Sequence, residues 1–431
     1  MSRVIAGMNW HELYSFASKQ ALLGLCFEGI ERLGKEYPEE LKQNPIGREL
    51  LMTWMGKAQQ IRRQNMKVNA VAGKLFSMLR EDGLRCCILK GQGNALMYPN
   101  PYSRTSGDID VWIDASRERI MEYAQKKFEL GDDIRLQHLE TSLDGVPVEL
   151  HFFPCSMNNP IYHARLQKWF RRNADLQCSH IVGLPDGAGD IAIPTTAFNV
   201  IYQLTHLYHH FFDEGIGMRQ IIDYFLVVND FSKNVFLDTD FSNHPVPLSK
   251  EGSTFSPSPS SSGSGDVTAP SRCSEPLRSK DGGPSKVSPD CAGWDRLAIE
   301  EDNSAGSATA VTSSASTALV VVQRELKYFG LWKFAGVVMY VLHEALGLSE
   351  EKMIAPMDEK RGKLLLTEIL NGGNFGKHFT KYGHFTQQGM AKKYFLKIWR
   401  NMHFVRFYPA EALSEPLFRT WHFFWRMKNK K

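Results

Sequence analysis

Between Gly107 and Ile113 the chain reads G-D-I-D-V-W-I, and this alternation limits the possible folds more than any other stretch. In an extended strand successive side chains point to opposite faces, so Ile109, Val111 and Ile113 share one face while Asp108 and Asp110 point together from the other. The apolar face demands a covering layer. Two carboxylates side by side repel, and their pairing makes sense if a divalent cation sits between them, since Mg²⁺ takes oxygen ligands and leaves positions for substrate phosphates. A D-x-D pair at a strand start also occurs in exposed turns, so the flanking residues have to decide.

Upstream, a strand over Cys86 to Leu89 runs into Lys90, Gly91, Gln92 and Gly93 and then a helical pattern from Asn94 to Met97. Free backbone N–H groups at a helix start can hold an anion, and Lys90 would add a cation there, although the sequence is not a G-x-x-x-x-G-K-[ST] loop. Downstream, Val148, Leu150 and Phe152 alternate with Pro147, Glu149 and His151. Glu149 beside Asp108 and Asp110 would complete a site for two metal ions; standing alone it reads as an exposed strand residue paired with an arginine. Arg104, four residues before Asp108, is a candidate for binding phosphate, or else a loop arginine in solvent.

The wider chain of 431 residues is 43% apolar and 23% charged, which supplies ample core material and excludes collagen-like, wholly disordered and small disulfide-scaffold folds. Lys+Arg 51 against Asp+Glu 47 leaves a net charge of +4, too small on this length to predict nucleic-acid binding. The seven cysteines form no C-x-x-C pair, the usage of a reduced compartment. With no signal sequence and no apolar run long enough to span a membrane, the expectation is a cytoplasmic protein with no membrane partner.

Periodicity divides the chain into a helical N-terminal segment (1–84), an α/β core (85–193) and a C-terminal helical domain (194–240 and 317–431). Residues 241–316 turn abruptly to Ser, Pro, Gly and Thr. Such a segment buries too little apolar area to offset the entropy of ordering it, and is expected to be a disordered insert within one helical bundle. The fold class is thus α+β: a small mixed sheet, helices before it, and an interrupted helical bundle after it.

Taken together, the strand–Lys-Gly–helix, the G-D-I-D run and the later acidic strand resemble the nucleotidyltransferases of the DNA polymerase β-like superfamily. Within it the chain is most similar to a bacterial group of uncharacterised nucleotidyltransferases, through LKGQGNALMYPNPYSRTSGDIDVWI, PVELHFFP, LTHLYHHFFDEGIGMRQIIDYFL and NGGNFG with a basic helical tail. The resemblance implies nucleotidyl transfer from an NTP to an unidentified acceptor, with Mg²⁺ or Mn²⁺ held by Asp108, Asp110 and Glu149. The superfamily commonly has Gly-Ser or Gly-Gly where this chain has Lys90 and Gly91. The triphosphate is therefore expected on Lys90 and the backbone of Gly91, Gln92, Gly93 and Asn94, with Arg104 and Gly107 nearby.

His206 and His210 stand four apart on one helix face, a spacing that suits a metal, a substrate or a satisfied core pair. Arg219 and Asp223 read first as an i,i+4 ion pair. The narrow group shares these residues, so His151, His206, His210 and Arg219 are assigned to the acceptor side. NGGNFG either approaches a ligand or simply ends a helix. Two other functions remain open: a non-catalytic nucleotide-binding regulator on the same fold, and nucleic-acid binding through the basic, aromatic C-terminal helices, which is not favoured.

Overall fold

The alternating run becomes the second strand of a four-stranded mixed sheet: β1 (Cys86–Leu89), β2 (Ile109–Ile113), β3 (His138–Leu143) and β4 (Val146–His151), in the order β1-β2-β4-β3. The computed structural model describes residues 2–130, 135–234, 307–376, 396 and 398–429. Strand β2 lies antiparallel to β1 and parallel to β4, and β3 and β4 form an antiparallel hairpin. Asp144 (φ 50°) and Gly145 (φ 71°) make the hairpin turn, both in the left-handed region that a two-residue turn needs to match strand twist.

Both faces of this sheet are covered. On one, Ile88, Ile109, Val111, Ile113, Val148 and Leu150 pack with Val71, Leu75 and Leu79 of the long helix Arg48–Glu81 and with Ile120 of Arg117–Lys127. Four short helices precede that long one: Ser2–Ala6, Trp10–Lys19, Leu23–Glu36 and Pro38–Gln43. On the opposite face Cys87 and Trp112 join a second core, where Trp112 stacks on Phe198 at 6.2 Å and meets Phe170 at 6.3 Å. Asp110, Glu149 and His151 interrupt this second face with polar groups.

A helix over Pro160–Ser179 and a small sheet, Ile181–Gly183 paired with Asp190–Ala192, lead into the helical part. Two of its helices, Thr196–Asp213 (here αA) and Met218–Asn234 (αB), are completed by Ser307–Tyr328 (αC), Trp332–Leu346 (αD), Glu359–Gly372 (αE) and Pro409–Asn429 (αF). Phe334 of αD packs on Tyr208 and Phe211 of αA, so the chain returns to the same core after residue 306.

One expectation about the fold is corrected. Residues 307–316, expected within the disordered insert, are helical, because alanine is the strongest helix former and Ala308, Ala310 and Ala315 extend the apolar helical run that follows. Residues 235–306, the remainder of that expectation from 241 on, lie outside the described residues. Gly330, with a φ of 72°, turns the chain between αC and αD. In NGGNFG, Gly372 closes αE, and Gly376 (φ 61°) lies against the turn between αA and αB, where a Cβ would collide with the Glu214 carbonyl. That loop serves packing. The basic stretch directly after it, residues 377–395, lies outside the described residues.

Candidate active site

Parallel pairing of β2 with β4 sets Asp110 directly beside Glu149, and Trp112 beside His151. Asp108 is the residue just before β2. Carboxylate oxygens of Asp108, Asp110 and Glu149 lie within 4.8 Å of one another, so the three acids read from sequence converge and could hold a metal ion. Asp110 is buried, and Asp108 opens to solvent.

The cluster carries its own countercharges. Lys90 Nζ lies 3.0 Å from Asp110 Oδ1, and His151 Nε2 lies 3.1 Å from both Asp110 Oδ1 and Glu149 Oε2. Burial works to raise the Asp110 carboxyl, but Lys90 and His151 overcome it and hold the group well below the usual carboxylate range. The Asp110 charge pushes Asp108 up to about 6. Burial works against protonated His151, yet its bonds to Asp110 and Glu149 raise it to about 9. One carboxylate is thus firmly ionised beside another that is harder to ionise, as like charges brought together require.

Lys90 occupies an unusual backbone conformation (φ 53°, ψ −134°) between β1 and the five-residue helix Gly91–Ala95. Such strain persists only where the surroundings enforce it. Nζ also lies 2.8 Å from His206 Nε2, which in turn lies 3.2 Å from His210 Nε2. An ammonium has only donors, so His206 Nε2 must be the unprotonated nitrogen of its ring. Burial and Lys90 keep His206 well below the usual imidazole range, and burial with His209 lowers His210 to about 3. The histidine pair is therefore wired through Lys90 to Asp110.

The Arg104 side chain and the side chains that flank the glycines are committed to the fold. Arg104, expected to bind phosphate, is buried, and its Nε and Nη2 each lie 2.8 Å from an oxygen of Asp223 on αB, which Tyr98 also donates to. Its surroundings are carboxylate and protein, so the phosphate assignment is corrected to a positioning one. Arg219 donates Nη1 to the Thr105 carbonyl at 2.9 Å, while Asp223, expected to be its helix partner, holds Arg104 in a bidentate pair. Gln92 donates to Asn69, Asn94 accepts from Gln203 at 2.6 Å, and Gly93 packs on Ile193. Gly91 and the exposed Gly107 remain at the edge of the acids, with Gly107 Cα facing Arg219.

A family described as uncharacterised nucleotidyltransferase matches residues 6–241, more than half of the chain. The chain belongs to that family. A solved structure, that of an antigenic nucleotidyltransferase-like protein from Paracoccidioides brasiliensis, is similar at 18% identity over 37% of this chain and 75% of that one, with a TM-score of 0.27. No curated protein matches.

In this member of the family the structure also brings a residue to the site that sequence reasoning missed. His138 on β3 is the cross-strand neighbour of His151, and its Nδ1 lies 3.3 Å from Glu149 Oε2. Burial, and after it the nearby His151, lowers its imidazole to about 4. The signal was present: His-Leu-Glu-Thr-Ser-Leu, then Asp-Gly, then Val-Pro-Val-Glu-Leu-His is a hairpin pattern. No described helix is long and apolar enough to cross a membrane.

Proposed function

We propose that this nucleotidyltransferase family member moves a nucleoside monophosphate from an NTP to a hydroxyl or phosphate acceptor. The observation that carries the reading is the convergence of Asp108, Asp110 and Glu149 from two parallel-paired strands, with Lys90 and His151 neutralising Asp110. An all-oxygen donor set crowded enough to raise Asp108 to about 6 fits a hard divalent cation. Asp108, Asp110 and Glu149 would hold Mg²⁺ or Mn²⁺, which when bound neutralises phosphate charge and lowers the pKa of an acceptor hydroxyl.

In the transfer, the acceptor oxygen bonds to the α-phosphorus as the bond to the pyrophosphate oxygen breaks, and Glu149 receives the acceptor's proton. Lys90 and His151 hold the Asp110 carboxylate in one orientation throughout. His206 and His210 position Lys90. Arg104, locked to Asp223 and accepting at its carbonyl from Asn65 at 2.7 Å, fixes the loop that delivers Gly107 and Asp108. The thiols of Cys26, Cys86, Cys87, Cys155 and Cys178 are free, which favours a reducing, cytoplasmic setting.

The test is turnover of each of the four radiolabelled NTPs with Mg²⁺ or Mn²⁺, comparing wild type with Asp108→Ala/Asp110→Ala. Metal-dependent label transfer that disappears in the double variant is the expected result. Metal-dependent NTP binding without transfer to any acceptor would instead favour a nucleotide-binding regulator, and identical behaviour of the two proteins would sink both readings.

A further inference from the structure

We propose that His138, Glu149 and His151 form a second cation seat, suited to a borderline transition metal such as Zn²⁺ rather than to Mg²⁺. This goes beyond nucleotidyl transfer, with which it shares Glu149 and His151, while His138 belongs to the second seat alone. The three residues come from one face of the β3–β4 hairpin: His138 pairs with His151 across the strands, and Glu149 lies two residues before His151. One ligand atom from each lies within 4.8 Å of the others.

The spacing suits four-coordinate binding. Zinc–nitrogen and zinc–oxygen bonds of about 2.0–2.2 Å at tetrahedral angles put neighbouring ligand atoms roughly 3.3–3.6 Å apart. His138 Nδ1 to Glu149 Oε2 is 3.3 Å, and His151 Nε2 to Glu149 Oε2 is 3.1 Å, so small adjustments admit the ion. Two imidazoles and one carboxylate are a known donor set for zinc with a position left open, whereas the oxygens of Asp108 and Asp110 suit Mg²⁺. Gln137 Nε2 donates to His151 Nδ1 at 3.3 Å, so in the metal-free protein the ring proton lies on Nε2, and a bound cation would take that proton's place.

A second observation points to a missing ligand. His138 is 8% exposed, and neither of its ring nitrogens makes a hydrogen bond: Nδ1 approaches Glu149 without the alignment of one, and Nε2 is 3.8 Å from Glu140 Oε1. Buried polar atoms without partners are rare and costly. A cation between His138 and Glu149 would satisfy Nδ1 directly.

The experiment uses the full chain, stripped with a chelator and then titrated with Zn²⁺ and Co²⁺, the bound metal counted by mass spectrometry and Co²⁺ followed by visible absorption. Wild type is expected to bind one Zn²⁺ in the presence of excess Mg²⁺ and to give the intense visible bands of four-coordinate Co²⁺. His138→Ala is expected to weaken Zn²⁺ binding at least tenfold and lose those bands, and Asp108→Asn to keep both. Metal-dependent NTP binding has the opposite pattern, lost in Asp108→Asn and retained in His138→Ala, so the two readings fail separately. Should His138→Ala not fold by circular dichroism, His138→Gln reads the same quantity. Equal Zn²⁺ affinity in wild type and the histidine variant, or Co²⁺ bands that vanish only with Asp108, would overturn the seat.

Discussion

A single ammonium group ties the candidate site to the helical part of the molecule. Lys90 meets Asp110 on the sheet and His206 on αA, and its side chain is mostly buried. Removing one partner from a buried charge pair costs about 3–5 kcal/mol when the other is stranded; Asp110 retains His151, so Lys90→Met is expected at or below the lower end. The same variant should lower metal-dependent NTP binding at least tenfold, measured alongside chemical denaturation. Unchanged stability and binding would show that Lys90 is a bystander. The importance of Lys90 was legible from its place between a strand and a glycine, but its partner His206 is 116 residues away, beyond any local pattern. Arg104 misled for the same reason. An arginine near paired aspartates satisfies the chemistry of phosphate binding equally well whether or not Asp223, 119 residues on, has already taken it.

At the scale of elements, αB is fastened to the loop before β2 by the Arg104–Asp223 pair, with Tyr98 donating to the same carboxylate at 2.8 Å. Asp223→Ala leaves a buried guanidinium without its counterion and is expected to destabilise the protein by about 3–5 kcal/mol, while also loosening Asp108. A denaturation midpoint within error of wild type would contradict that. The seam between NGGNFG and the αA–αB turn makes a second prediction: Gly376→Ala combines a positive φ with a Cβ driven into the Glu214 carbonyl, and should cost about 1–3 kcal/mol. Calorimetry would check it. Most helices and three of the four central strands were readable from periodicity, because their buried faces repeat. β3 was harder, since its pattern of burial weakens towards Leu143 and its polar residues face the site. The helical start at Ser307 was hidden by a composition that alternates alanine with serine and threonine, which reads as low complexity until the neighbouring apolar turns are counted.

Across the whole molecule, opposed imidazole shifts shape the response to pH. His206 and His210 are held below their unfolded value of about 6.5, so as pH falls through that value the unfolded chain takes up protons that the folded protein refuses. Their contribution is complete above about 6.5 and is lost on acidification, on the order of 1–2 kcal/mol per imidazole by about pH 5. His151, raised to about 9, acts in the other direction: its contribution is present below about 6.5 and is lost as pH rises through 9. A plot of melting temperature against pH is therefore expected to crest near 6.5, with His210→Asn flattening the acid limb; an acid limb equally steep in that variant would refute the assignment. The sheet at the centre of the molecule has a consequence for how such a chain changes over generations. Both faces of β2 and β4 are covered, and Asp110 stands opposite Glu149 by register alone. Deleting one codon within β2 would turn the isoleucines towards the acids and an aspartate into the apolar layer. A change of length inside either strand would therefore cost the apolar layer and the cluster of acids together.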